Sequence, residues 1–191
     1  MSYKEDWDNY FRAGYTSGAG SYGRLAEFKA QVVNEFIDDH GIQTVLDVGC
    51  GDGNQLLLLK CKQYIGVDVS PTAINICKKT FSQDNTKKFS TYSPNGPNNL
   101  PDCDLVLCLD VLYHIIPENE FIQTLDDVFS HAKKAVILYT VLKDIGSHNE
   151  HIYTRDILSY LTRYQNWEIK EIIYQRYPRL SGADFIILEP T

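Results

Sequence analysis

The sequence predicts an α/β protein, a mostly parallel sheet with helices on both faces and an antiparallel hairpin at the end. Three observations carry this. Short apolar runs of strand length alternate with amphipathic stretches from about residue 23 onward, and strands separated by helical crossovers pair in parallel. A glycine-rich turn follows the first run, at Gly49, Gly51 and Gly53. The last two runs have no helix between them, only the turn-forming segment from Tyr177 to Gly182, so they are expected to pair antiparallel.

The elements follow in order. Leu25, Phe28, Val32, Val33, Phe36 and Ile37 recur at helical spacing and stop at His40-Gly41, the pattern of an amphipathic helix with a break after it. Thr44 to Val48 is a short buried-strand pattern, and Tyr64 to Val69 is a second. Ser70-Pro71 then opens a helix with a capping residue followed by proline. A weaker third strand is expected near Lys88 to Ser93, a fourth over Asp104 to Val111 and a fifth over Ala135 to Thr140. Thr154 is expected to cap a helix running to about Tyr164. Trp167 to Tyr174 and Asp184 to Leu188 make the closing hairpin, and Pro94 to Pro101 reads as an exposed loop.

At 191 residues the chain fits one domain, here residues 23–191, preceded by an arm or flap over residues 1–22. Between Tyr10 and Arg24 that arm holds four glycines and three tyrosines. Apolar residues at 43% and charged residues at 23% are ordinary for a globular protein. A net charge of -7 disfavours nucleic acid, because a phosphate backbone calls for basic surface. The five cysteines are odd in number and show no CxxC spacing, which predicts free thiols in a reducing compartment. No apolar run has the roughly 18 residues of a membrane span, and the polar start is unlike a signal peptide. A cytoplasmic location is the expectation.

The chemistry centres on the stretch from Val45 to Gly53, read Val-Leu-Asp-Val-Gly-Cys-Gly-Asp-Gly. It follows a strand and is expected to precede a helix, where α/β sheets bind nucleotides. Glycines there let the backbone turn sharply and approach a ligand. Asp68 lies 15 residues beyond Gly53 at the end of the second strand, where a carboxylate can accept hydrogen bonds from both hydroxyls of a ribose. The spacing is GxGxG, not the GxGxxG of dinucleotide binders, and no phosphate-loop lysine follows. Asp47 and Asp52 flank the loop and suit a ligand bearing an ammonium and a sulfonium better than a pyrophosphate. The ligand these features predict is S-adenosyl-L-methionine (SAM).

The segment from Arg24 to Thr140 resembles the class I SAM-dependent methyltransferase family. Val45 to Gly53 is similar to its first motif, Ile65 to Asp68 to its second, and Asp104 to His114 to its fourth. The resemblance implies a Rossmann-like seven-stranded sheet with the hairpin read above. It also implies cofactor contacts from Asp47, Gly49, Gly51, Asp68, Val69 and Asp110. The family places an acidic residue after the third strand, whereas here residues 89–94 read Phe-Ser-Thr-Tyr-Ser-Pro; the adenine contact falls to Tyr92, a backbone carbonyl or water. From the arm, Tyr15 or Tyr22 is expected to fold over the sulfonium or the substrate, with cation–π attraction favouring the pose, and Arg24 joins the cofactor set. The arm is similar to small bacterial methyltransferases linked to surface-polysaccharide modification.

A SAM methyl group is already activated, so the protein must chiefly hold a nucleophile in line and remove a proton. Tyr113 and His114 follow the fourth strand; His148, Glu150, His151 and Arg155 follow the fifth. His114 and His151 are the candidate catalytic bases. Tyr113, His148 and Arg155 are the candidate acceptor contacts, Arg155 for an anionic group. The HxxH spacing of His148 and His151 lacks an HExxH frame or a cysteine partner, so no metal is expected. The expected reaction is methyl transfer to an oxygen of a small, polar, sugar-like or anionic acceptor. The alternatives are a protein or RNA methyltransferase, and a SAM-binding sensor or partner subunit without catalysis.

Overall fold

Alternation within the apolar runs decides which side of the sheet each residue serves. In the computed structural model, which describes residues 3–144, 146 and 151–191, Leu105, Leu107 and Leu109 face one layer while Val106 and Cys108 face the other. A strand buried on both faces is the mark of a sheet sandwiched between helices. The strands are β1 (Thr44–Val48), β2 (Gln63–Asp68), β3 (Lys87–Thr91), β4 (Cys103–Leu109), β5 (Ala132–Thr140), β6 (Trp167–Ile173) and β7 (Asp184–Pro190). They form one sheet in the order β3-β2-β1-β4-β5-β7-β6. β1 to β5 are parallel, and β7 runs antiparallel between β5 and β6.

The helices are α1 (Tyr3–Arg12), α2 (Gly23–Asp39), α3 (Pro71–Thr80), α4 (Glu118–Ser130) and α5 (Ile157–Leu161). α2 buries Phe28, Val33 and Phe36 with Ile74 and Cys77 of α3 on one face of the sheet. On the other face lie Phe121, Leu125 and Val128 of α4 with Ile157 and Leu161 of α5. The α3 start follows its sequence signal: the Ser70 side chain accepts a hydrogen bond from Ala73 N, and Pro71 sits at the first turn. All five cysteines are free and buried. No described helix is long and apolar enough to cross a membrane.

Three local departures from the sequence reading have physical causes. The glycine loop leads to a single 3-10 turn, Gln55–Leu58, where a helix is expected. Asn34 of α2 ends that turn by donating to the Leu58 carbonyl and accepting from Lys60 N, leaving Leu57 61% exposed. α5 begins beyond Thr154, with Asp156 at its N-cap; the Thr154 hydroxyl bonds Asp144 and the Gly146 carbonyl instead. Finally, the segment before α2 opens with a ten-residue helix, α1.

Asp8 docks α1 against the N-terminus of α3. Its Oδ1 accepts from Ser70 Oγ at 2.8 Å and from Thr72 N at 3.0 Å, and Arg12 pairs with its other oxygen at 2.8 Å. A carboxylate at a helix N-terminus also interacts favourably with the helix dipole. Burial alone would raise the Asp8 pKa, but these hydrogen bonds and Arg12 hold it below its ordinary value.

Candidate active site

The parallel strands end together, and the chain departs from β1, β2 and β4 around one cavity, the usual ligand position in such sheets. After β1, Gly49 N and Cys50 N both donate to the Val67 carbonyl, at 2.7 and 3.0 Å, and bend the chain across the end of β2. Gly49 and Gly51 have φ of 88° and 56°. A Cβ on Gly49 would lie 2.2 Å from Val111 Cγ2, and one on Gly51 would lie 2.2 Å from Ser17 Oγ. The turn therefore excludes side chains twice, by backbone conformation and by space.

Two carboxylates line the cavity. Asp68 accepts from Gly51 N through one oxygen and from Ser70 N through the other, each at 2.9 Å. Burial raises its pKa to about 6, opposed by those two backbone bonds. Asp110 ends β4 at φ 61°, a left-handed conformation that costs a non-glycine residue about 1–2 kcal/mol. It is held there from several sides: Lys29 Nζ lies 2.6 Å from Oδ2, the Tyr113 hydroxyl donates to Oδ1 at 2.6 Å, and its own N–H donates to the Tyr139 carbonyl. Lys29 is 1% exposed, and its ammonium also lies 5.4 Å from the centre of the Tyr139 ring.

The third wall comes from the N-terminal segment. Tyr3, Trp7 and Phe11, spaced by four, all face the cavity from one side of α1. The chain after α1 is latched to the glycine loop, with Ser17 N and Oγ donating to the Asp52 carboxylate and Asp52 N donating back to Ser17 Oγ. Tyr22 adds a bond to the same carboxylate. Opposite Trp7 stands His114, its ring edge-on to the indole at 5.0 Å. His114 Nδ1 lies 2.8 Å from the His151 carbonyl oxygen. A carbonyl only accepts, so Nδ1 carries the proton and Nε2 the lone pair in the neutral ring. Burial holds the His114 pKa below its ordinary value, with the His151 carbonyl and Asp110 pulling the other way.

A methyltransferase-domain family profile matches residues 46–137. The chain covers 98%, at 19% identity and a TM-score of 0.74, when laid on all of the magnesium protoporphyrin IX methyltransferase from Synechocystis PCC 6803, a structure with bound S-adenosylhomocysteine (SAH). A SAM-dependent methyltransferase from Clostridium acetobutylicum matches at 17% identity over 97% of this chain and 96% of that one, TM-score 0.64. An N-methyltransferase from Bradyrhizobium japonicum, in complex with SAH, matches at 14% over 87% and 86%, TM-score 0.69. No curated protein matches the chain in sequence. Residues 46–137 thus match a methyltransferase domain, and the fold is the one these methyltransferase structures share.

The cavity gathers Gly49, Gly51, Asp68, Val69, Tyr92, Asp110 and His114 from the residues singled out in sequence. It does not gather the others. Asp47 sits beneath the loop, accepting from the Tyr64 hydroxyl at 2.6 Å, with burial raising its pKa to about 6 against the pull of Tyr64 and Lys29. Tyr15 is 59% exposed and stacks on Tyr10 at 4.6 Å. Arg24 is exposed in the first turn of α2. Tyr113 stands behind Asp110 as its hydrogen-bond donor. His151 contributes its backbone carbonyl while its side chain is exposed. His148 lies outside the described residues.

Arg155 differs most from expectation. It is buried, its Nε bonds Glu118 at 2.9 Å, and its two terminal nitrogens donate to the Ile115 and Ile116 carbonyls at 2.9 and 2.7 Å. Phe121 and Tyr153 sandwich the guanidinium at 4.2 and 4.5 Å. It therefore fixes the segment that follows His114, and has no face left for an anion.

Sequence reasoning missed Tyr3, Trp7, Phe11, Ser17 and Lys29. Two signals were available. Tyr3, Trp7 and Phe11 repeat at i, i+4 and i+8, one stripe of a helix. Lys29 interrupts the apolar face of α2 between Leu25, Phe28 and Val32, and a lysine on a buried face requires a partner.

Proposed function

We propose that this methyltransferase carries the methyl group of SAM to a hydroxyl oxygen of a small molecule, with His114 as the general base. The residues suit the cofactor. Each oxygen of Asp68 accepts one backbone hydrogen bond, and a carboxylate has about four acceptor sites, so two remain for a ribose diol. The glycine loop beside it lacks Cβ atoms and so packs closely against Val111 and Ser17 of the cavity lining. Val69 and Tyr92 flank this end of the cavity and are suited to the flat base. Asp110 stands at the end of β4, two strand spacings from Asp68 in the order β2-β1-β4, about 10 Å across the sheet, and is placed for the methionine portion.

When bound, SAM supplies an electrophilic methyl carbon on a sulfonium. The protein's part is to position an oxygen against it and to take that oxygen's proton. The single observation that carries the assignment is the fixed tautomer of His114, which presents Nε2 as an acceptor on a ring lining the same cavity as Asp68. The depressed pKa keeps the ring neutral near pH 7, as a base must be. Arg155 and the His151 carbonyl position it. In this reading α1 and the Ser17–Asp52 latch bring the segment 3–22 to the site. The expectation of an anionic acceptor leaned on a free Arg155, and its engagement with Glu118 and the Ile115 and Ile116 carbonyls withdraws that support.

The test is His114→Ala, measured with radiolabelled SAM and a turned-over acceptor. Loss of general-base catalysis is expected to lower kcat by about 10²–10⁴ while SAH affinity by calorimetry holds. A variant with wild-type kcat refutes the role of His114. SAH binding with no turnover of any acceptor favours the non-catalytic sensor instead.

A further inference from the structure

Building on that reading, we propose that the acceptor is a flat, electrically neutral aromatic hydroxyl compound, seated against Trp7 and Phe11 of α1 with its hydroxyl at His114. Reach is the first argument. A proton donor that meets His114 Nε2 enters a space bounded by Trp7, whose indole packs edge-on to the same imidazole at 5.0 Å. Phe11 continues the wall, tilted 34° to the indole with centres 6.1 Å apart. Trp7 is half-buried and lines the cavity, so part of the indole stays uncovered for a ligand. Aromatic rings prefer offset or edge-to-face partners, and this wall offers both.

Charge is the second argument. Two carboxylates line the cavity, and among the described residues none of its lining is lysine or arginine. The nearby cations are spent, Lys29 on Asp110 and Arg155 on Glu118. A phosphate or carboxylate would find no lysine or arginine in the lining to pair with, and a sugar would leave its extra hydroxyls unpaired against the rings.

Acidity is the third. A phenolic hydroxyl has a pKa near 10, far closer to a neutral imidazole than an alkyl alcohol is. The step balances: the acceptor O–H proton passes to His114 Nε2, the oxygen forms a bond to the methyl carbon, and the carbon–sulfur bond breaks with its electron pair left on sulfur. The products are an aryl methyl ether, SAH and an imidazolium that returns its proton to solvent.

The experiment compares 4-hydroxybenzamide with 4-hydroxybenzoate, the same ring and hydroxyl with and without a negative charge, and adds glucose as a neutral polyol. Turnover is read with radiolabelled SAM, and binding to SAH-saturated protein by ligand-observed NMR. The neutral phenol is expected to bind and to show kcat/KM at least about tenfold above the benzoate, the size of one good aromatic contact or one unfavourable charge. Trp7→Leu should raise its KM about tenfold with kcat held and SAH affinity within about twofold, and Trp7→Phe should restore KM. Preference for the benzoate or glucose, or no NMR-detected binding of the neutral phenol, overturns the proposal. So does a Trp7→Leu loss of SAH affinity equal to its loss of acceptor. Failure of the wild-type protein to bind SAH at all would instead defeat the methyltransferase reading beneath it.

Discussion

Lys29→Met tests whether the buried cation behind Asp110 organises the site. The substitution keeps the side chain's length and apolar stem but removes the ammonium. Lys29 is 1% exposed and sits 2.6 Å from a carboxylate whose side chain is 16% exposed. Removing one partner of a buried pair costs about 3–5 kcal/mol. Asp110 keeps its bond from Tyr113 and opens onto the cavity, where water can reach it, so the low end applies, about 3 kcal/mol. For a chain of this size each kcal/mol lowers Tm by about 2–4 °C, giving a drop of roughly 6–12 °C. Pairing the change with Asp110→Asn removes the orphaned charge, and the double variant should recover a good part of the loss, a coupling of about 2 kcal/mol. Urea denaturation of wild type, both single variants and the double variant completes the cycle. A single-variant cost under about 1 kcal/mol, or strict additivity in the double variant, would refute the ion pair as the element that holds Asp110.

The proposed cofactor seat yields three further predictions. Asp68→Ala should weaken SAH binding by about 1.5–3 kcal/mol, the worth of hydrogen bonds to a charged group; unchanged affinity by calorimetry in a folded variant would remove Asp68 from the ribose. The same group gives a pH dependence: its pKa in the folded protein is raised to about 6, so its contribution to the free protein's stability is present below the ordinary carboxylate range and is lost as pH rises through 6. Ribose hydroxyls favour the ionised form, so SAH affinity should fall as pH drops through about 6, and Asp68→Asn should flatten that profile. Gly51→Val places a branched side chain at φ 56°, with its Cβ 2.2 Å from Ser17 Oγ. It should both destabilise the loop by at least about 1–2 kcal/mol and abolish SAH binding, and a variant that binds normally would show the Ser17 latch to be dispensable.

What was legible in sequence is what local chemistry encodes. β1 and β2 were placed to within a residue because Gly49 and the Ser70-Pro71 pair punctuate their ends, and that placement puts Asp68 at the end of β2, on the cavity. Partnerships across the chain were not legible. Arg155 reads as a free cation in the sequence, yet its three hydrogen-bond partners lie 37 to 40 residues away, and only the fold brings them together. Asp52 reads as a charge for the ligand, whereas Ser17, 35 residues earlier, occupies it. α1 was hidden for a different reason. Its apolar stripe is only three residues long and is followed by the glycines at 14, 18 and 20, so the segment reads as an arm.

That concealment bears on where specificity is written. The strand ends supply Gly49, Gly51, Asp68 and Asp110, residue types any class I SAM site can use, and they form the floor of the cavity. The wall opposite His114 is built by Tyr3, Trp7 and Phe11, which precede the first strand by more than thirty residues. Their position is not set by the sheet directly. It depends on Asp8, whose bonds to Ser70 and Thr72 dock the helix at the start of α3, and on the Ser17–Asp52 latch that ties the following turn to the glycine loop. Both anchors join α1 to the residues that flank the cofactor seat. Distortion of the glycine loop would thus be felt at the aromatic wall, and displacement of α1 would loosen the glycine loop, so acceptor and cofactor are expected to bind with mutual reinforcement. Cutting the latch with Asp52→Ala should therefore weaken the acceptor's grip as well as SAH's, although Asp52 contacts neither Trp7 nor His114.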